Sequence, residues 1–201
     1  MTSVTIPLVF ALTRFKTLNL TLRVLFIFLI ISAVTEFLSF FLLDKNSDII
    51  FAVQNIYTFL EYVFLVCIYF LEYTSKTMRK IILYFSFAYL IGTIVILFLL
   101  NRFTELNDVL NGINSFVMIA LSVYFFYKIQ SELNIPSLNQ YPFFWFNCAI
   151  LIYFGTSLIL FLCGDYLDKC DIKEFQVLWS LHFIGNIIYN ILFAIGLWKA
   201  K

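Results

Sequence analysis

Three ionisable side chains stand inside long apolar runs of this sequence: Glu36, Glu61 and His182. Holding such a group in hydrocarbon costs at least about 2.5–3.5 kcal/mol. A carboxyl there must be neutral or paired. Either state equips it to take a ligand, an ion or a proton, so Glu36 and Glu61 are the first places to look for a site. His182 can join such a site, or it can simply pair with a carboxyl or a backbone carbonyl. It stands at the depth of Glu36, which makes it the expected partner of that residue. Amides accompany the three: Gln54, Asn55, Asn111, Asn114, Asn147, Asn186 and Asn190.

Their spacing is helical. His182, Asn186 and Asn190 recur every four residues, with Trp179 on the same face. Asn55, Thr58 and Glu61 or Tyr62 repeat the pattern, as do Asn107, Asn111, Asn114 and Ser115. Residues three and four apart share one side of an α-helix. Polar stripes within apolar helices are expected to face other helices rather than lipid.

The elements that carry these residues are membrane spans. Of 201 residues, 63% are hydrophobic and 12% charged, against about 45–50% and about 25% in soluble domains. A chain of this length has too little interior to hide that surface. Six runs are each long enough for a core of about 30 Å, which takes about 20 residues: 24–43, 49–71, 81–100, 109–129, 143–163 and 175–198. Helices are expected because each run then closes its own backbone hydrogen bonds, and no strand-like alternation occurs. The reading is an all-α, polytopic membrane helix bundle, one domain over residues 1–201, with a short apolar stub at Val4–Leu12. The stub is too short to span and is expected to pack loosely at the membrane edge.

Charge sets the expected orientation. With both termini cytoplasmic, Arg14, Lys16, Arg23, Lys76, Arg79, Lys80, Lys128, Lys199 and Lys201 fall inside, and Lys45, Arg102, Lys169 and Lys173 outside. This places the chain in the cell inner (cytoplasmic) membrane as a multi-pass protein. A net charge of +1 gives no basic patch for nucleic acid, and the partner that composition demands is the lipid bilayer. Cys67 and Cys148 fall within spans. Cys163 and Cys170 bracket the last outer loop, where an oxidising compartment would let them form a disulfide; two free thiols is the alternative.

Depth adds a second pattern. Glu36 and His182 lie about seven residues below the outer ends of their spans, about 10 Å of helix rise. Asn55, Thr93, Asn114, Thr156 and Ser157 lie near the same level, while Ser32, Glu61, Tyr153 and Asn186 form a deeper layer. The layering predicts a polar cavity opening outward, with Glu36, Asn55, Glu61, Asn114, His182 and Asn186 as its ligand- or proton-binding residues. The competing reading is a set of interhelical hydrogen bonds, each contributing about 0.6 kcal/mol to the bundle.

VTEFLSF, IYTFLEYVFL, FWFNCAILIYFGTSLILF and LWSLHFIGNIIYNILFAIGLW together resemble a family of uncharacterised membrane proteins of Bacteroidota. The similarity runs over nearly the whole chain. The two Glu-centred motifs and the His-x3-Asn-x3-Asn run are its most specific parts. The resemblance implies six or seven spans, with IPLVFALTRFK similar to the tail of an additional first helix. At the level of architecture it is similar in style to the membrane sensor regions of bacterial histidine kinases.

Three functions are weighed. The first is a sensory or signalling module in which an outer ligand biases two helix arrangements, read out by a separate cytoplasmic or membrane signalling partner. The second is a small proton-coupled transporter, for which embedded Glu and His are suitable relay groups; no repeat and no Gly/Pro-broken helix pair supports it. The third is an intramembrane serine hydrolase. Gly155-Thr156-Ser157-Leu158 and His182-Phe183-Ile184-Gly185 look faintly similar to rhomboid protease motifs, but Leu158 stands where that family has glycine and its oxyanion-side His–Asn motif is missing. No cofactor is expected, and one histidine among scattered carboxyls does not make a metal set. Lys199 at the membrane edge is misplaced for a retinal Schiff base.

Overall fold

A computed structural model describes residues 3–13, 19–42, 47–99, 108–132, 137–162 and 172–200, without the side chains of residues 47, 132 and 172–175. Seven α-helices occupy them: α1 (Thr5–Thr13), α2 (Leu20–Leu42), α3 (Ser47–Glu72), α4 (Lys76–Ile94), α5 (Asp108–Glu132), α6 (Pro142–Leu162) and α7 (Ile172–Lys199). There is no strand among the described residues. Six of the helices, α2 to α7, are long and apolar enough to cross a membrane. Only 22–39% of the most apolar window of each is buried. Phe37, Phe85, Phe98 and Phe116 are each more than 60% exposed. A soluble monomer seldom shows such wide apolar surface; lipid accommodates it.

Two helices begin before their apolar runs do. Asn19 caps α2, its Oδ1 accepting from the Leu22 N–H at 2.9 Å. Ser75 caps α4, its Oγ facing the Met78 N–H at 3.5 Å. A cap satisfies N–H groups that the helix leaves open, so the polar and basic residues that follow are drawn into the helix. Lys76, Arg79 and Lys80, expected in a loop, therefore lie on the first turns of α4. At its other end α4 runs on as a π-helical turn, Val95–Leu99. α6 starts at Pro142, where a missing N–H costs nothing and the fixed φ suits the first turn.

The helices fall into two compact units, Asn19–Leu110 and Met1–Leu18 with Asn111–Lys201. In the first, the middle unit, α2 packs on α3 and α3 on α4. Phe28 of α2 meets Tyr57 and Phe64 of α3 at ring separations of 6.4 and 6.2 Å. Tyr62 of α3 stacks on Tyr89 of α4 at 3.8 Å. Arg79 folds back so that its Nε donates to the Phe70 and Tyr73 carbonyls at 3.2 and 2.7 Å, satisfying acceptors that the end of α3 leaves open.

In the second, the terminal unit, α6 and α7 form the longest seam. Gly185 lies against Thr156 and Gly196 against Phe146, so closely that a Cβ on either glycine would overlap its neighbour. Small residues that let two backbones approach are a usual device where lipid, not water, surrounds the helices. α5 joins through Phe125 and Phe143, 4.7 Å apart. The stub corrects the expectation of loose packing. It forms α1 on α7, with Val4, Pro7 and Ala11 buried, Ala11 completely.

Candidate functional site

In the middle unit the expected stripe on α3 is buried: Asn55 is 4% exposed, Thr58 9% and Glu61 5%. Glu61 stands near the centre of a 25-residue span, about 16 Å of helix rise from Glu72. Its Oε1 lies 3.3 Å from the Tyr57 hydroxyl one turn earlier. That hydroxyl lies 3.1 Å from Ser32 Oγ on α2, and Ser32 Oγ is 3.0 Å from the Phe28 carbonyl. A chain of oxygens thus runs from the buried carboxyl of α3 to the backbone of α2.

The number of hydrogens decides how that chain can be bonded. Ser32 and Tyr57 each own one hydroxyl hydrogen, yet three oxygen–oxygen contacts need one each. A neutral Glu61 supplies the third: Glu61 donates to Tyr57, Tyr57 to Ser32, and Ser32 to the Phe28 carbonyl. A carboxylate can only accept, so Tyr57 must turn its hydrogen toward it. Then, counting these three contacts alone, the Ser32 hydrogen serves either Tyr57 or Phe28. Within these three contacts, the bonding open to Tyr57 and Ser32 differs between a neutral and an ionised Glu61. Tyr89 of α4 lies within electrostatic reach of the same carboxyl.

Glu36 lies one turn beyond Ser32 on α2 and is partly exposed. Its Oε2 is buried and has no hydrogen-bond partner among the described residues. A lone buried oxygen of this kind is costly unless something else binds it. Glu36 belongs to the middle unit and His182, its expected partner, to the terminal one.

Within the terminal unit His182 meets Ser157, with Nδ1 3.3 Å from Oγ. Tyr153 and Trp179 flank the imidazole at 5.5 and 6.0 Å. The Ser157 hydroxyl is closer to the Tyr153 carbonyl, at 2.9 Å, and has a single hydrogen to give. With that hydrogen on Tyr153, the imidazole must donate through Nδ1–H. A nucleophile would instead give its hydrogen to the imidazole, which takes the other tautomer.

The stripe His182, Asn186, Asn190 divides between two neighbours. Asn190 Nδ2 faces Asn186 Oδ1 at 2.8 Å and Ser3 Oγ, beside α1, at 3.1 Å. A four-residue step overshoots the helical repeat by about 40°, so eight residues turn the stripe from α6 toward α1. Asn147 of α6 donates to the Ser122 carbonyl of α5 at 3.1 Å. Asn114 and Ser115 on α5 are both 1% exposed. Cys67 and Cys148 are free; Cys163 and Cys170 lie outside the described residues. No cluster of metal-binding side chains occurs among the described residues.

The site therefore gathers Glu61 with Ser32, which the depth pattern puts in the same layer, and with Tyr57, which that pattern leaves out. Tyr57 was discoverable, since it precedes Glu61 by four residues on one helix. Depth sets Ser32 at the level of Glu61, but only packing gives it a partner. Comparison with protein-family models, curated proteins and solved structures finds no match, so the function has to be read from this geometry.

Proposed function

We propose that this multi-pass membrane protein is a sensory or signalling module of the cytoplasmic membrane, with Glu61 as its input. The observation that carries the proposal is the oxygen chain from Glu61 through Tyr57 to Ser32. Its bonding depends on whether the carboxyl holds a proton. A proton, or an outer ligand that fixes the protonation state, then biases α2 against α3 by differential interaction with two arrangements. Output passes to a separate partner on the cytoplasmic side. Lys76, Arg79, Lys80 and the chain's end at Lys201 face the cytoplasm in this reading. Reporters inserted near Lys76 or fused after Lys201 should read cytoplasmic, and one near Asp168 periplasmic; the reverse pattern would remove the orientation.

The direct test is hydrogen–deuterium exchange of α2 and α3 peptides in lipid nanodiscs over about pH 5 to 9. After correction for the intrinsic pH dependence of amide exchange, wild-type protection should change with pH, and Glu61→Gln should hold one pattern. Identical pH responses in the two proteins would refute Glu61 as the input. The same chain favours one second reading, a proton-coupled carrier, because hydroxyls beside an embedded carboxyl can relay a proton. Proton uptake into proteoliposomes that collapses in Glu61→Gln would make the carrier the better account.

A further inference from the structure

A groove of about 260 Å³ runs between α3 and α4 in the middle unit. Its floor is Tyr62, Val66, Ile82 and Tyr89, all buried, while Val63 and Leu83 at the rim are 42% and 57% exposed. The groove is carbon-lined apart from Cys67 and the hydroxyls of Tyr62, Ser86 and Tyr89, of which Tyr62 and Ser86 bond to each other at 3.3 Å. Such a surface takes a hydrocarbon chain.

Three cations lie on the helix turns beyond one end of the groove, where the end of α3 carries Glu72. Lys76, Arg79 and Lys80 lie on the first turns of α4. At about 100° per residue, Lys76 stands in line with Leu83, and Arg79 with Ile82 and Ser86. The two cations thus project along the groove side of the helix, and Lys80 flanks them. Arg79 is held in place: its guanidinium lies 5.1 Å over Phe70, a groove wall, and its Nε is bonded to the end of α3. Among the described residues nothing accepts from the four hydrogens on its Nη atoms, which are open to another acceptor. Three cations in the opening turns of a helix oppose its dipole, so helix stability does not account for them. An anion placed there would complement both the side chains and the helix end.

We infer that the groove and the basic start of α4 form one site for an anionic phospholipid. The phosphate sits between Lys76 and Arg79, and one acyl chain lies in the groove. Neither half suffices: the groove alone would accept any lipid tail, and the charges alone any anion. The bound chain would lie against the Tyr62–Tyr89 pair, beside Glu61, so the lipid also supports one wall of the input site.

Native mass spectrometry tests the site, with protein equilibrated in equal dioleoyl phosphatidylglycerol and dioleoyl phosphatidylcholine. Wild type should retain one phosphatidylglycerol in preference. Lys76→Gln with Lys80→Gln should weaken retention by about fivefold per lysine removed. Cys67→Phe, which fills the groove, should abolish retention with all three cations in place. Leu83→Phe, at the exposed rim, makes the same test should Cys67→Phe fold poorly. Dihexanoyl phosphatidylglycerol, with the same headgroup and short chains, should fail to displace the bound lipid. Equal retention of the two lipids, or unchanged retention in the lysine variant, would overturn the proposal. Full retention in both groove-filled variants, or displacement by the short-chain lipid, would show headgroup attraction without a groove and would also overturn it.

Discussion

Replacing Gly196 with alanine should destabilise the protein, although alanine is the better helix former. An added Cβ would lie 2.4 Å from Phe146 Cε1 and 2.8 Å from Cδ1 and Cζ. Ordinary contact begins near 3.4 Å, so the ring must retreat by about 1 Å. It has little room, because Phe146 is 2% exposed and leans on the fully buried Phe193 at 5.3 Å. Overpacking of this kind costs about 1–3 kcal/mol. The helix preference for alanine returns about 1 kcal/mol. Gly155 on α6 supplies the reference, since nothing lies within 4 Å of its would-be Cβ. Gly155→Ala should therefore gain the helix term alone. The difference between the two variants removes that term and isolates the seam at about 1–3 kcal/mol. Reversible unfolding in mixed detergent and SDS micelles, followed by circular dichroism, measures both. Phe146→Leu should relieve part of the Gly196→Ala cost in a double-mutant cycle, because the two positions are in contact. Equal stability of Gly155→Ala and Gly196→Ala, or strict additivity with Phe146→Leu, would refute the described seam.

The same titration serves three further tests. Tyr57→Phe takes away the hydroxyl between Ser32 and Glu61 and should cost about 1–3 kcal/mol; combined with Glu61→Leu it should cost less than the sum, and additive losses would break the chain. Ala11→Leu should cost about 1–3 kcal/mol, because Ala11 is completely buried, whereas Val9→Leu at a 58% exposed position should be neutral; if both are neutral, α1 does not pack on α7. Wild-type protein should not react with a fluorophosphonate probe, and labelling that vanishes in Ser157→Ala would restore the hydrolase reading.

Much of the fold is legible in the residues because solvation by lipid is a local quantity. It accumulates along the chain, so six apolar runs locate six helices without knowledge of any contact. The backbone then requires helices, since hydrocarbon offers no other hydrogen-bond partner. Periodicity likewise identifies Asn55, Thr58 and Glu61 as one face, and the structure buries that face. Hydropathy does not show the helix starts at Leu20 and Lys76, because Asn19 and Ser75 act through capping bonds.

What each stripe meets is a different matter. His182 finds Ser157, Asn190 finds Ser3, and Glu61 reaches Ser32 through Tyr57. In lipid every apolar helix face is equally well solvated, so hydrophobicity cannot choose among neighbours. Close van der Waals fit and a few directional hydrogen bonds make that choice. Both depend on distances of a few tenths of an ångström between residues far apart in the chain. Gly185 against Thr156 and Gly196 against Phe146 are such fits. The buried place of α1 on α7 is another, and no run of residues could announce it.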